Sequence, residues 1–324
     1  MALPNLHHRK AETSHMTHPS TQAILITGAS SGIGKHLTIR LAERGYPVYG
    51  TVRKEADMAE LSKIENVTPL LMDVRNADQV QSALEKVTQA GKGLYGLVNN
   101  AGVGELGMLS TWTDEEMFDI FNVNVFGPHR MTNAFVRLLV ESKGRVVNIG
   151  SQGGMLASKY YGPYIMTKHA MEAYTAILHD ELEPYGVLVS VVQPGGIISS
   201  IGGNMMPGTV LHFQRAEPPF KEEAELVLAS FEQESEPDPD APESATNRKP
   251  SSPEIVWNAV QDALFNDKPK MRYLVGTHWE GNRVINALIA KLLDENDNPQ
   301  HNYSREELIA LLDKHLAERK KSLS

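Results

Sequence analysis

The sequence predicts an α/β protein: a doubly wound parallel sheet with helices on both faces, one domain with a C-terminal extension. Three observations carry this. From residue 23 to about 200, short β-branched runs alternate with helix-length amphipathic stretches, the pattern of parallel βαβ units. The longest apolar runs, such as "VLVSVV" at 187–192, suit strands buried on both faces. A glycine-rich turn, "TGASSGIG" at 27–34, stands where the first strand should become the first helix.

The elements follow in order. "AILITG" (23–28) reads as a strand and "GKHLTIRLAERG" (34–45) as the helix behind it. "PVYGTVR" (47–53) and "VTPLLMDV" (67–74) read as the second and third strands. A helix from about Asp78 to Gln89 leads into the strand "GLYGLVNNAG" (93–102). A long helix from Asp114 to about Ser142 opens on "TDEE", an N-cap followed by acidic first-turn residues. The strand "GRVVNIGS", a helix from about Pro163 to Pro184 and the strand "VLVSVVQPGG" come next.

Composition shifts after Gly195. Residues 217–253 are acidic and proline-rich, which reads as a solvated flexible loop because it buries little apolar area. Order returns with the helix "PEIVWNAVQDALF" (253–265) and the strand "MRYLVG" (271–276). The tail helix "SREELIALLDKHLAERKK" opens with a Ser-x-x-Glu capping box. The expected division is a disordered leader at 1–20, a core domain at 21–290 and a helical extension at 291–324. Residues 203–252 form a flexible insertion and candidate lid. Met16 is an alternative start, since "MTHPSTQAILITG" enters the first strand directly.

Composition excludes several classes. Of 324 residues, 41% are apolar and 22% charged, which suits a soluble globular protein. No apolar run approaches the roughly 18 residues of a membrane span. The first 22 residues lack the apolar core of a secretory signal and carry few basic residues, so a cytoplasmic location is expected. The absence of cysteine removes disulfides, thiolate nucleophiles and thiolate metal sites together. A formal charge of −9 argues against a nucleic-acid surface. Twelve histidines show no metal-ligand spacing, so no metal is expected.

The glycine turn points to a phosphate. Gly28, Gly32 and Gly34, with Ser30, Ser31 and Ile33 among them, allow a tight turn, close backbone approach and close helix–strand packing. The following helix N-terminus offers free N–H groups and a positive dipole end to a pyrophosphate.

Together TGxxxGxG, "NNAG" at 99–102 and Tyr-x-x-x-Lys at 164–168 resemble the short-chain dehydrogenase/reductase family. The likeness covers 23 to about 200, with a weaker match at "MRYLVG", and the long C-terminal extension suggests the hydroxysteroid and retinol dehydrogenase branch. It implies a Rossmann-type fold and a nicotinamide dinucleotide. Asp73, beside Val74, resembles the adenine contact, and Asn100, Ala101 and Gly102 continue the cofactor wall. "PGGIIS" supplies Pro194, Gly195, Ile197 and Ser199, the last a departure from the family's usual Thr that keeps the hydroxyl. Asn99 is expected to be structural.

Three tyrosines precede Lys168 in "YYGPYIMTKHA". On a helix, i and i+4 share a face, so Tyr164 lies one turn from Lys168, while Tyr161 is too distant and Tyr160 points elsewhere. Pro163 fits the first turn, where its missing N–H costs nothing. A neighbouring ammonium, together with the positive charge of an oxidised nicotinamide, is expected to lower the Tyr164 pKa and fit it for proton transfer. The resemblance implies the remaining roles. Ser151 would hold the substrate oxygen. Lys168 would also bind the nicotinamide ribose, and Asn124 would hold a proton-relay water.

The expected function is therefore hydride transfer between a nicotinamide cofactor and a secondary alcohol or carbonyl. A non-catalytic dinucleotide-binding regulator on the same fold is the alternative. A sugar-nucleotide epimerase ranks below both, because its fingerprint is TGxxGxxG. The second strand ends in Val52, Arg53 and Lys54 rather than an acid, so NADP(H) is expected over NAD(H), with Lys35 as a further cation. Met155, Leu156, Met205, Met206, Leu211 and Phe213 would line an apolar pocket mouth for a bulky alcohol or ketone, or simply pack beneath a loop. Surplus apolar residues on the helices at 114–142 and 163–183 (Met117, Phe121, Phe126, Met171, Tyr174) suggest a homodimer or homotetramer.

Overall fold

A computed structural model describes residues 22–198, 201–232, 238 and 240–323. The expected leader (1–20) and Ser199 lie outside the described residues. The described residues form a seven-stranded sheet from β1 (Ile24–Ile26), β2 (Val48–Val52), β3 (Val67–Leu71), β4 (Gly96–Asn99), β5 (Arg145–Ile149), β6 (Leu188–Pro194) and β7 (Arg272–Val275). Every pairing is parallel and the order is β3-β2-β1-β4-β5-β6-β7. The order reverses direction at β1, between β2 and β4, and that switch point opens a crevice beyond the strands' carboxyl ends.

Strand alternation decides which helices cover which face. Ile24, Ile26, Val98, Val147 and Val192 face α1 (Gly32–Glu43) and α9 (Glu254–Phe265), meeting Leu37, Leu41, Trp257 and Leu264. Leu25, Leu97, Val146 and Val189 face the other way. There they meet Val80 and Val87 of α3 (Ala77–Gln89), Phe135 and Leu139 of α5 (Gly127–Ser142), and Leu182 of α6 (Gly162–Leu182). Burying each such side chain contributes about 1.5–3 kcal/mol. A one-residue slip in any strand would exchange the two faces.

Four local features depart from the sequence reading. A short helix, α2 (Glu55–Leu61), follows β2 with Glu55 and Asp57 in its first turn. The long helix at 114–142 is α4 (Asp114–Phe121) and α5 joined by a π segment, Asn122–Phe126. Its Thr113 and Glu116 form the expected capping arrangement, with both bonds present. The stretch from 217, read as a loop, contains α8 (Lys221–Glu232), which packs Ala224, Val227, Leu228 and Phe231 on Met108 and Phe213. Those positions recur at i, i+3, i+4 and i+7; the acidic composition of the surrounding stretch hid a helical stripe. Met171, read as surplus, is buried in the core, so the sheet-facing stripe of α6 is wider than expected.

Before α8 runs α7 (Ile201–Gln214). The chain divides into two compact units, the first through Thr277 and the second His278–Ser324. The second holds α10 (His278–Asn296) and α11 (Arg305–Leu323). Ser304 and Glu307 close the expected capping box of α11. Among the described residues no helix is long and apolar enough to cross a membrane.

Candidate active site

The glycine turn becomes a cradle because its backbone leaves no alternative. Gly28 holds φ +70°, and a Cβ there would stand 3.0 Å from the Ala101 Cα. Gly28 N–H donates to the Thr51 hydroxyl at 3.1 Å, fixing the turn to β2. Thr27 ties it to β4, its hydroxyl accepting from the N–H groups of Asn100 and Ala101, both at 2.9 Å. The Asn100 amide returns the link by donating to the carbonyls of Thr27 and Gly28. Ser31 precedes α1 with no side-chain cap, so the first N–H groups of that helix are left to face the crevice. Gly34 stands behind the cradle, where a Cβ would fall 2.2 Å from the Gly28 oxygen; its role is packing.

One cleft of about 240 Å³ runs along the switch point. Its wall includes Gly28, Ser30, Ser31, Gly32, Ile33, Arg53, Asp73, Val74, Asn100, Ala101, Gly102, Pro194, Gly195 and Ile197. At the same cleft stand Ser151, Tyr164 and Lys168. Residues brought together from seven places in the chain thus share one surface. Thr51, Met72, Val103, Val123, Ile149 and Gly150 line it too and escaped the sequence reading. Most follow or end a strand, so a rule naming strand-end residues would have found them.

α6 and the end of β5 place Tyr164, Lys168 and Ser151. Pro163 lies in the first turn of α6, and Tyr164 and Lys168 share one face, with Nζ 5.5 Å from the Tyr164 ring centre. Lys168 is buried and its ammonium donates to the Ile149 carbonyl at 2.9 Å. Burial pushes its pKa down to about 8. The Tyr164 phenol moves opposite to expectation. Burial pushes it above its ordinary value, and contact with the Ser151 hydroxyl opposes this only in part. Desolvation of the phenolate dominates, and the Lys168 ammonium is spent on the Ile149 carbonyl. The Ser151 hydroxyl accepts from Gly153 N–H at 3.0 Å and sets its proton against the Tyr164 phenol oxygen.

Asn124 is buried within the π segment behind the cleft. Its Oδ1 accepts from Val103 N–H at 2.9 Å, and its Nδ2 donates to the Val103 carbonyl and the Thr167 hydroxyl. The side chain is committed to those partners, and its backbone carbonyl lies within the π segment. Residue 128 is proline and has no N–H, so that carbonyl lacks the donor a regular α-helix would supply. Asn99, read as structural, donates to the Asn148 amide oxygen at 2.9 Å. Asn148 in turn donates to the Thr175 hydroxyl. This buried ladder stiffens the sheet beneath the cleft.

The adenosine end carries opposite charges. Burial disfavours the Asp73 carboxylate, but paired bonds from Arg75 outweigh it and hold its pKa low, with Arg53 adding a smaller pull. Arg53 and Lys54 are exposed at the end of β2. A tight glycine turn without room for a Cβ and an uncapped helix start fit the pyrophosphate of a dinucleotide.

Of Met155, Leu156, Met205, Met206, Leu211 and Phe213, expected at the pocket mouth, none lines this cleft. Met206 and Leu211 are exposed, and a Cβ on Gly104 would reach both the Met205 methyl and the Tyr164 ring. Phe213 does not line the mouth. It is buried between Tyr160 and Phe231, beneath α8.

A crossover sheet with a glycine cradle and a Ser-Tyr-Lys group at its switch point defines a dinucleotide-binding oxidoreductase scaffold. The family model for short chain dehydrogenases matches residues 22–207. The chain belongs to the short chain dehydrogenase family, a family of NAD(P)-dependent oxidoreductases. It is 37% identical to the mitochondrial D-beta-hydroxybutyrate dehydrogenase of Rattus norvegicus over 59% of each chain. It is 30% identical to the oxidoreductase YbbO of Escherichia coli over 80% of this chain and 91% of that one. The match thus spans less than two thirds of the hydroxybutyrate dehydrogenase. A short-chain dehydrogenase structure from Streptomyces avermitilis superposes with a TM-score of 0.69 at 25% identity, covering 86% of this chain and 96% of that one.

Proposed function

We propose that this chain is an NADP(H)-dependent oxidoreductase that interconverts a secondary alcohol and a carbonyl on a bulky apolar substrate. The observation that carries the reading is the meeting of Ser151, Tyr164 and Lys168 beside the glycine cradle in one cleft. A non-catalytic regulator would have no use for that group. The nicotinamide, when bound, supplies or accepts the hydride. Gly28, Gly32 and the start of α1 would hold its pyrophosphate, Arg53 its 2′-phosphate, Asp73 and Val74 its adenine, and Lys168 its ribose.

Within the site, Ser151 donates to the substrate oxygen and orients it. Tyr164 gives its proton to that oxygen during reduction, or takes one during oxidation, and a raised phenol pKa favours the protonated form that reduction needs. Lys168 and the Asn124 backbone carbonyl form the path that restores the proton. The Met205 methyl beside Gly104 and the Tyr164 ring, with Met206 and Leu211 exposed on the same helix, supports a bulky apolar substrate. A small hydroxy acid is the second reading, favoured by the name of the Rattus relative.

A panel of secondary alcohols and ketones assayed with NADPH and NADH, in the unmodified protein and two variants, tests this. Tyr164→Phe should lower turnover by about 10²–10⁴ with unchanged cofactor affinity, because it loses only the phenol oxygen. Tyr161→Phe removes an exposed hydroxyl and should change turnover modestly. Equal damage from both would overturn the assignment of Tyr164.

A further inference from the structure

Near Tyr164, the segment after β4 meets α7 in a polar cluster. His212 of α7 is buried, stacked on Trp112 with ring centres 3.8 Å apart. Its Nε2 lies 3.0 Å from Glu105 Oε2. Its Nδ1 is 3.9 Å from Glu116 Oε2, beyond hydrogen-bond reach, and has no hydrogen-bond partner. Arg215 holds Glu116 at 2.6 Å. Burying a histidine in this way is costly, and nothing in the proposed proton path uses it.

The segment that His212 grips bears directly on Tyr164. A Cβ on Gly104 would stand 2.9 Å from the Tyr164 ring, so backbone and ring are already in close contact. Leu106 N–H donates to the Thr209 hydroxyl of α7 at 2.9 Å. Gly107 N–H donates to the carbonyl of Tyr160, also at 2.9 Å, and Tyr160 holds φ +71° four residues before Tyr164. Residues 104–107 therefore touch the Tyr164 ring, the entry to α6 and α7 at once.

We infer that Glu105 and His212 are a positioning pair. Their contact clamps this segment against α7, and so presses Gly104 on the Tyr164 ring and holds the phenol in line with Ser151. The inference rests on the reading of Tyr164 as the proton-transfer group. A misplacement of about 1 Å at such a group costs on the order of 10²-fold in rate. The clamp acts at the substrate end, away from the glycine cradle, so cofactor affinity should be untouched.

A double-mutant cycle on kcat tests it, using Glu105→Ala, His212→Ala and both together, with NADPH affinity measured by fluorescence titration. Each single variant should lose about tenfold or more in kcat, the double should be no worse than the worse single, and NADPH Kd should stay within about twofold. His212→Gln, which keeps a side-chain N–H donor, should recover most of the loss. Gly208→Ala breaks the pair from outside, because its Cβ would fall 2.2 Å from the Glu105 carboxyl carbon. That change favours the helix, so it serves even where the alanine variants at 105 and 212 fail to fold. Losses that multiply in the double variant, or wild-type kcat in Gly208→Ala, would overturn the pair. So would a Kd that weakens in step with kcat. Tyr164→Phe, run alongside, separates the two readings. If it is inactive while the cycle is multiplicative, only the pair falls; if it keeps wild-type turnover, both fall.

Discussion

Lys168 is an ammonium held where water is scarce, with one carbonyl for company. The folded protein binds its proton less tightly than the unfolded chain, since burial takes the pKa from 10.5 down to about 8. Below about pH 8 this destabilises the fold in full, by about 1–3 kcal/mol, and the penalty fades as pH rises towards 10.5. Lys168→Met should therefore abolish turnover yet raise Tm by several degrees at pH 7, with the advantage closing near pH 10. Thermal melts of both proteins across that range check this, and a lower Tm at pH 7 would contradict it. Among the tyrosines, helical spacing pointed to Tyr164, and the cleft lining includes Tyr164 but neither Tyr160 nor Tyr161. What spacing could not give was the direction of its pKa, because a neighbouring charge is visible in a sequence and desolvation is not.

At the level of elements, the end of β2 is where cofactor choice should lie. Val52 is buried in a strand and Arg53 is exposed on the cleft wall, so a carboxylate placed at 52 and a cation removed at 53 should weaken or reverse a preference for NADP(H). Val52→Asp with Arg53→Ala, compared with the unmodified chain by kcat/KM on both cofactors, measures it; comparable values for the two cofactors in the unmodified chain would refute the preference. α7 and α8 are the second such element. With Leu106, Met108 and Tyr160 they form a small apolar cluster apart from the two large clusters on the sheet faces, and we propose that α8 and the stretch after it form a lid. Hydrogen exchange over residues 203–252 should slow when cofactor and substrate are both present. Equal protection in both states would leave this region a plain insertion.

For the whole molecule, the face formed by α4, the π segment and α6 leaves Phe118, Phe126, Met166 and Ile177 exposed. Phe118 is 73% exposed, which is unusual for a residue of that size unless something covers it. We propose that a second copy of the chain does so, giving a homodimer or homotetramer by an isologous contact. Light scattering at micromolar concentration should return a multiple of 35.8 kDa; a mass of one chain would count against it.

The alternation of strands and helices, the glycine turn and the i, i+4 placement of Tyr164 and Lys168 were legible from residues 23–200 alone, because each depends on neighbours a few positions apart. α8 (221–232) was also written in the sequence, as a spacing of apolar residues, but the acidic composition around it spoke louder. The π segment, the burial of Lys168 and the union of Glu105 with His212 were not legible. Each arises where the crossover order brings together parts of the chain separated by tens of residues, and where exclusion of water then decides charge. A local pattern specifies what a segment can become. Only packing across the switch point determines which polar groups are left in the dry, and those are the groups on which the chemistry depends.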